Sequence, residues 1–195
     1  HPKETIRNII DTNPTKSLLL LATLGGISQS LSSASSLGLG KMLSVSEIFM
    51  FAVFSGPLSG FFYLFVVGWL LHQVLTRMGG EAKITETRTV LAWSWVPLVS
   101  TLPLWGVKYI LFREEFFLPE KPFVEAHPAL SFLDGLIYFV DFALVIWTMV
   151  ILIAGLTEVH KTPVGKTVGA FIVMNLIVLI PSMLILTLCS PQLPM

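Results

Sequence analysis

Asp134, Tyr138 and Asp141 lie four and three residues apart inside an otherwise apolar run from Leu130 to Leu156, LSFLDGLIYFVDFALVIWTMVILIAGL. If this run is a helix, seven residues make about two turns and set the two carboxyls on one face, roughly 10 Å apart along the axis. An ionised carboxylate facing lipid costs at least about 2.5 kcal/mol on insertion scales. Both must therefore turn toward other helices or water, or be neutral. Two chemistries fit. One is a polar network that fixes helix register, with Tyr138 or Asn175 supplying hydrogen bonds. The other is a proton or cation site in a hydrated cavity, because intramembrane acids mark such paths. No intramembrane lysine or arginine is expected to pair with Asp141. Asp134, nearer the outer end, is expected to be hydrated.

A second group lies at predicted helix ends: Glu86, Arg88 and Trp93 before and within the third apolar run, and Glu158 and His160 after the fourth. All are expected at the cytoplasmic face, either as a charge-paired cap joining adjacent helix ends or as a docking surface. A metal site is not expected, because Glu158 and His160 are two apart and point to opposite sides of a helix. Trp93, Trp95 and Trp147 read as interfacial anchors and packing residues. Ser94 and Ser182 have no motif linking them to a base or an oxyanion hole. No phosphate loop, dinucleotide fingerprint or zinc-protease helix appears. Neither an enzyme nor a cofactor is expected.

These residues need helices to hold them, and composition supplies the class. The 195 residues are 54% hydrophobic and 12% charged, whereas a soluble domain carries about 25% charged residues. Twelve basic residues balance twelve acidic ones, which leaves no basic surface for nucleic acid. A single cysteine, Cys189, excludes an internal disulfide and a cysteine metal cluster. The sequence begins at His1, and some native N-terminal segment is expected to precede it. The expected fold is all-α: a polytopic membrane protein of five transmembrane helices, with a short amphipathic helix at residues 1–13 lying on the membrane surface.

The spans are expected at about 17–34, 45–75, 90–112, 130–156 and 167–189, in one membrane domain over 1–195. Lys16 should anchor the first. Pro57 should kink or tilt the second, where Gly56 and Gly60 form a small-xxx-small pair suited to close helix packing. Pro97 and Pro103 interrupt the third. Phe116, Phe117 and Phe123 in the following acidic loop are expected to rest partly on the membrane interface. An odd number of spans puts the ends on opposite sides. Lys3, Arg7, Lys16, Arg77, Lys83, Arg88, Lys161 and Lys166 fall on one side, and Lys41, Lys108, Arg113 and Lys121 on the other. The excess predicts a cytoplasmic N-terminus and an outside C-terminus.

Gly79-Gly80, Glu86, Arg88, the run Ala92-Trp93-Ser94-Trp95-Val96-Pro97, Ile146-Trp147 and Gly155-Leu156-Thr157-Glu158-Val159-His160 resemble the prokaryotic branch of the Yip domain family, the Ypt-interacting proteins. The opening Pro2 to Arg7 and Asn13-Pro14 are similar to the start of bacterial members. The resemblance implies five spans, a cytosolic N-terminus and a prokaryotic plasma membrane. Eukaryotic members bind prenylated Rab GTPases through a longer N-terminal region that is not in this sequence, so Rab-type GTPase binding is not carried over. Two functions stand against each other: a non-enzymatic membrane organiser or partner-binding subunit, contacting lipid and a membrane-protein partner or a second copy, and a small transporter, channel or lipid-handling protein using Asp141.

Overall fold

The computed structural model describes residues 2–15 and 17–189. Lys16 lies outside the described residues, as do the side chains of Lys3, Ser182 and Cys189. Five helical runs are long and apolar enough to cross a membrane: Leu18–Ser36, Val45–Arg77, Ile84–Phe117, Pro128–His160 and Val164–Pro181. No strand occurs among the described residues.

The first two crossings form the tightest pair. Helix α2 (Leu18–Ser36) packs along α3 (Val45–Phe62), which opens on a capping box: the Ser44 N–H donates to Glu47 Oε2 at 2.7 Å. A Cβ on Gly60 would collide with the Ala22 carbonyl, and one on Gly56 with the Ile27 backbone. The absent side chains at Gly56 and Gly60 let the two backbones touch, so contact replaces lipid along this line. The helix passes through Pro57 without ending. The register changes further on, at a π-helical turn over Tyr63–Val67, before α4 (Gly68–Arg77) resumes. A π turn widens the ring of hydrogen bonds and shifts the register of the helix beyond it.

The third crossing is built from three pieces, α5 (Ile84–Ser94), α6 (Val96–Val99) and α7 (Leu102–Phe112). Pro97 and Pro103 each fall at the start of a piece, where a missing N–H costs least. At the break after α6 the Leu98 carbonyl accepts from the Thr101 N–H at 3.1 Å and from Thr101 Oγ1 at 2.7 Å, and α2 adds a further donor. Ser28 Oγ donates to the Leu98 carbonyl at 3.0 Å and lies 3.1 Å from Thr101 Oγ1. The serine-rich end of α2 thus seals a broken helix rather than merely thinning its own.

Helix α1 (Pro2–Thr12) exposes Glu4, Thr5, Arg7, Asn8 and Asp11 and attaches to the bundle through Ile6, which is 3% exposed and joins the core cluster of Val90, Leu91, Leu152 and Leu156. One expectation about the periphery is corrected: Phe116 and Phe117 do not rest on an interface; both are buried, with Trp105 packed on each. Glu115 fixes the loop that carries them by accepting from the Phe123 and Val124 N–H groups at 2.9 and 3.0 Å, which opens α8 (Pro122–Glu125). The last two crossings, α9 (Pro128–His160) and α10 (Val164–Cys189), are the most exposed. On α9, Phe132, Tyr138, Phe139, Phe142 and Trp147 all face outward.

Candidate functional site

Lys108 is where the sequence reading fails most usefully. Counted among the outer-side charges, it sits inside α7, within the third span, and its Nζ meets Asp141 Oδ2 on α9 at 2.6 Å. Asp141 therefore has an intramembrane cationic partner. The Lys108 ammonium also stands 4.4 Å from the Trp105 ring centre and 5.0 Å from that of Phe116. Two ring faces and one carboxylate make a nearly complete cage. The two partners differ sharply in surroundings: the Lys108 side chain is 2% exposed and that of Asp141 is 35% exposed.

Glu158 and Lys161 mark one end of α9, and a hydrocarbon core of about 30 Å spans about 20 residues of helix from there. On that scale Asp141 lies roughly 5 Å inside the far boundary, with Asp134 roughly 6 Å beyond it. Asp134 is ion-paired, with its side chain 25% exposed. Lys121 Nζ approaches its Oδ2 at 2.7 Å, and the same ammonium lies 5.3 Å from the Phe116 ring. One phenyl ring therefore serves two lysines.

A cavity of about 240 Å³ opens beside the inner pair, lined by Ser32, Ser35 and Ser36 of α2, by Trp105 and Phe116, and by Tyr138 and Asp141. Two of the three serines spend their protons on backbone: Ser35 Oγ donates to the Phe116 carbonyl at 2.9 Å and Ser36 Oγ to that of Ser32. Tyr138 is 76% exposed and hydrogen-bonds to neither aspartate, contrary to expectation. Asn175 is remote from the pair; its amide donates to the Phe171 carbonyl at 2.8 Å, one turn back on α10. The polar stripe on α9 is thus an arrangement of two lysine-carboxylate pairs, with the lysines coming from α7 and the loop after it.

The group expected at the cytoplasmic face separates into unlike parts. Glu86 caps its own helix by accepting from the Lys83 N–H at 2.7 Å. Glu158 accepts from Arg7 of α1 at 2.7 Å. Arg88 lies 4.8 Å from the Phe65 ring centre. Trp93 packs between two core clusters rather than projecting as an anchor. His160 is fully buried and meets Thr87, 3.0 Å from Nε2, while His72 Nδ1 lies 3.2 Å from the same hydroxyl. Gly80 makes this possible, since a Cβ there would strike the His160 ring. Glu86 and Glu158 still line a common surface cleft with Arg7, Glu81, Lys83 and Lys161. Sequence reasoning missed Lys108, Lys121, His72 and Thr87. Only Lys108 carried a local signal, a basic residue one helical turn before Phe112.

Among the described residues no group of three or more His, Cys, Asp or Glu side chains is placed to hold a metal ion. Fold and site together define a polytopic all-α membrane protein in which, among the described residues, four ion pairs tie separate parts of the chain together. More particularly, residues 1–186 match the Yip1 domain model, and the chain belongs to that family. No curated protein and no solved structure matches it.

Proposed function

We propose that this Yip1-family protein is a non-enzymatic membrane subunit that acts through lateral contact with a membrane-protein partner or a second copy, using the face where α7 meets α9. The observation that supports this reading is the position of Asp141: inside the hydrocarbon, 35% exposed, and covered on one side only by its own chain. An ion pair left half open to lipid is costly, and another helix laid over it removes that cost. Tyr138, Phe139 and Phe142 beside it offer aromatic surface of the kind that anchors interfaces. With Lys108 counted inside the span, eight basic residues stand against Lys41, Arg113 and Lys121, which favours a cytoplasmic N-terminus. The motifs around Trp93 favour the plasma membrane of a prokaryote.

The test is a photoreactive residue at Phe142, activated in native membranes. A discrete protein adduct of reproducible mass is expected, and that mass separates a second copy from a different protein. Adducts with bulk lipid alone would overturn the proposal.

A further inference from the structure

Midway along the bundle, α2, α3, the π turn, α6, α9 and α10 enclose a larger cavity of about 480 Å³. That size lies within the range of small-molecule pockets, about 300–1,000 Å³. Val145 separates it from the ion-pair cavity, since that residue lines both. Its walls carry no charged side chain. They do carry polar groups with capacity to spare. Thr148 is 4% exposed, and its hydroxyl has no hydrogen-bond partner, not even the carbonyl one turn back that a helical threonine ordinarily uses. A buried hydroxyl without a partner is costly, of the order of 1–3 kcal/mol, so a ligand that supplies one is favoured. Gln29 and Asn175 line the same cavity, and Asn175 has committed only one of its amide hydrogens.

The cavity opens sideways. Phe62, Val145, Met149 and Val178 on its rim are exposed on the outer surface of the bundle. Thr148 stands 12 residues from His160 on α9, about 18 Å along the axis, which is close to the bilayer middle. A charged headgroup would lose its water there with nothing opposite to balance it. A neutral one with ester and hydroxyl oxygens would meet Thr148, Gln29 and Asn175 while its chains stayed in lipid.

We propose that this cavity seats the uncharged glycerol-ester head of a neutral diacyl lipid, entering laterally between α3 and the α9–α10 pair, with Thr148 as the donor that fixes it. The full chain, reconstituted in phosphatidylcholine vesicles, is irradiated with a diazirine-bearing diacylglycerol or with phosphatidic acid bearing the same chains. Diacylglycerol is expected to label peptides containing Met149 and Met174. Thr148→Val should lower that labelling roughly fivefold, the effect of one lost hydrogen bond, whereas Thr148→Ser retains it. Because the hydroxyl has no protein partner, the valine variant should melt no lower than the parent. Asn175→Leu, on an exposed stretch of α10, is the second variant and should also weaken labelling. The proposal is overturned if both variants label like the parent, if phosphatidic acid marks the same peptides equally well, or if adducts spread evenly over the exposed helices.

Discussion

Lys108 and Asp141, 33 positions apart in sequence, meet at 2.6 Å, with the lysine sealed and the aspartate half open. This asymmetry makes the two halves of the pair unequal. Removing one partner of a buried pair costs about 3–5 kcal/mol, because the survivor is left uncompensated. Asp141→Leu should reach that range, since it strands an ammonium that water cannot reach. Lys108→Met should cost less, because the Asp141 side chain is 35% exposed beside the serine-lined cavity. It should still cost something, because Asp141 Oδ1 is buried without a partner and the hydrocarbon offers no other cation among the described residues. The double variant should recover most of the loss. Thermal unfolding of the detergent-solubilised protein, followed by tryptophan fluorescence, tests the order. Equal costs for the two single variants would mean that burial does not govern this pair.

Close contact between α2 and α3 predicts a different kind of sensitivity. Gly60→Leu should prevent the two helices from meeting, because the added side chain runs into the Ala22 backbone, which cannot rotate away. Gly106→Ala is the control: nothing lies within 4 Å of its added Cβ. There the gain in helix propensity, up to about 1 kcal/mol, should hold or raise the melting temperature. Cysteine pairs placed across the seam report its geometry directly. Crosslinking that survives in Gly60→Leu would contradict the close-approach account.

How much of the fold and the site is legible in the sequence depends on the range of the interaction. Hydropathy marks all five crossings because each is a property of about 20 consecutive residues. Gly56 and Gly60 are visible as a pair, yet Ala22 and Ile27, against which they press, are not. Lys108 is misread for a related reason. Its place in the third span is legible, but its pairing is not, because the carboxylate that holds it comes from the next crossing. Glu86, Arg88, Glu158 and His160 group together in the sequence because their helix ends share a side of the membrane. Side-chain direction then separates them, and α1 captures Glu158. The π turn at Tyr63–Val67 has no sequence marker of its own.

The Thr87 hydroxyl stands between His72 and His160, at 3.2 and 3.0 Å. Thr87→Val keeps the shape and removes the shared partner, leaving two ring nitrogens without it. The expected cost is about 1–3 kcal/mol, the usual penalty for an orphaned buried polar group. Thr87→Ser should restore most of it. Gly80→Ala should be harmful by a separate route, because its methyl group displaces the His160 ring. Histidine ring NMR signals in the detergent-solubilised protein distinguish the routes: Thr87→Val changes hydrogen bonding at both rings, while Gly80→Ala moves His160 first. Unchanged signals in Thr87→Val would remove the network from the account.

Arg7 and Ile6 adjoin in sequence but attach α1 to the bundle by different means. The Arg7–Glu158 contact is short, at 2.7 Å, but its arginine is 59% exposed. Exposed pairs of this kind contribute about 0–1 kcal/mol. Ile6 instead enters the core among Val90, Leu156 and the space left by Gly155. Full burial of such a side chain is worth about 1.5–3 kcal/mol, and replacing it with asparagine adds the cost of an unmatched amide. Arg7→Ala should therefore leave α1 docked, whereas Ile6→Asn should release it while the five crossings stay in place. Protease cleavage between Ile10 and Thr15 provides the measurement: slow in the parent and in Arg7→Ala, fast in Ile6→Asn. Fast cleavage in Arg7→Ala would show that charge, not packing, holds the helix.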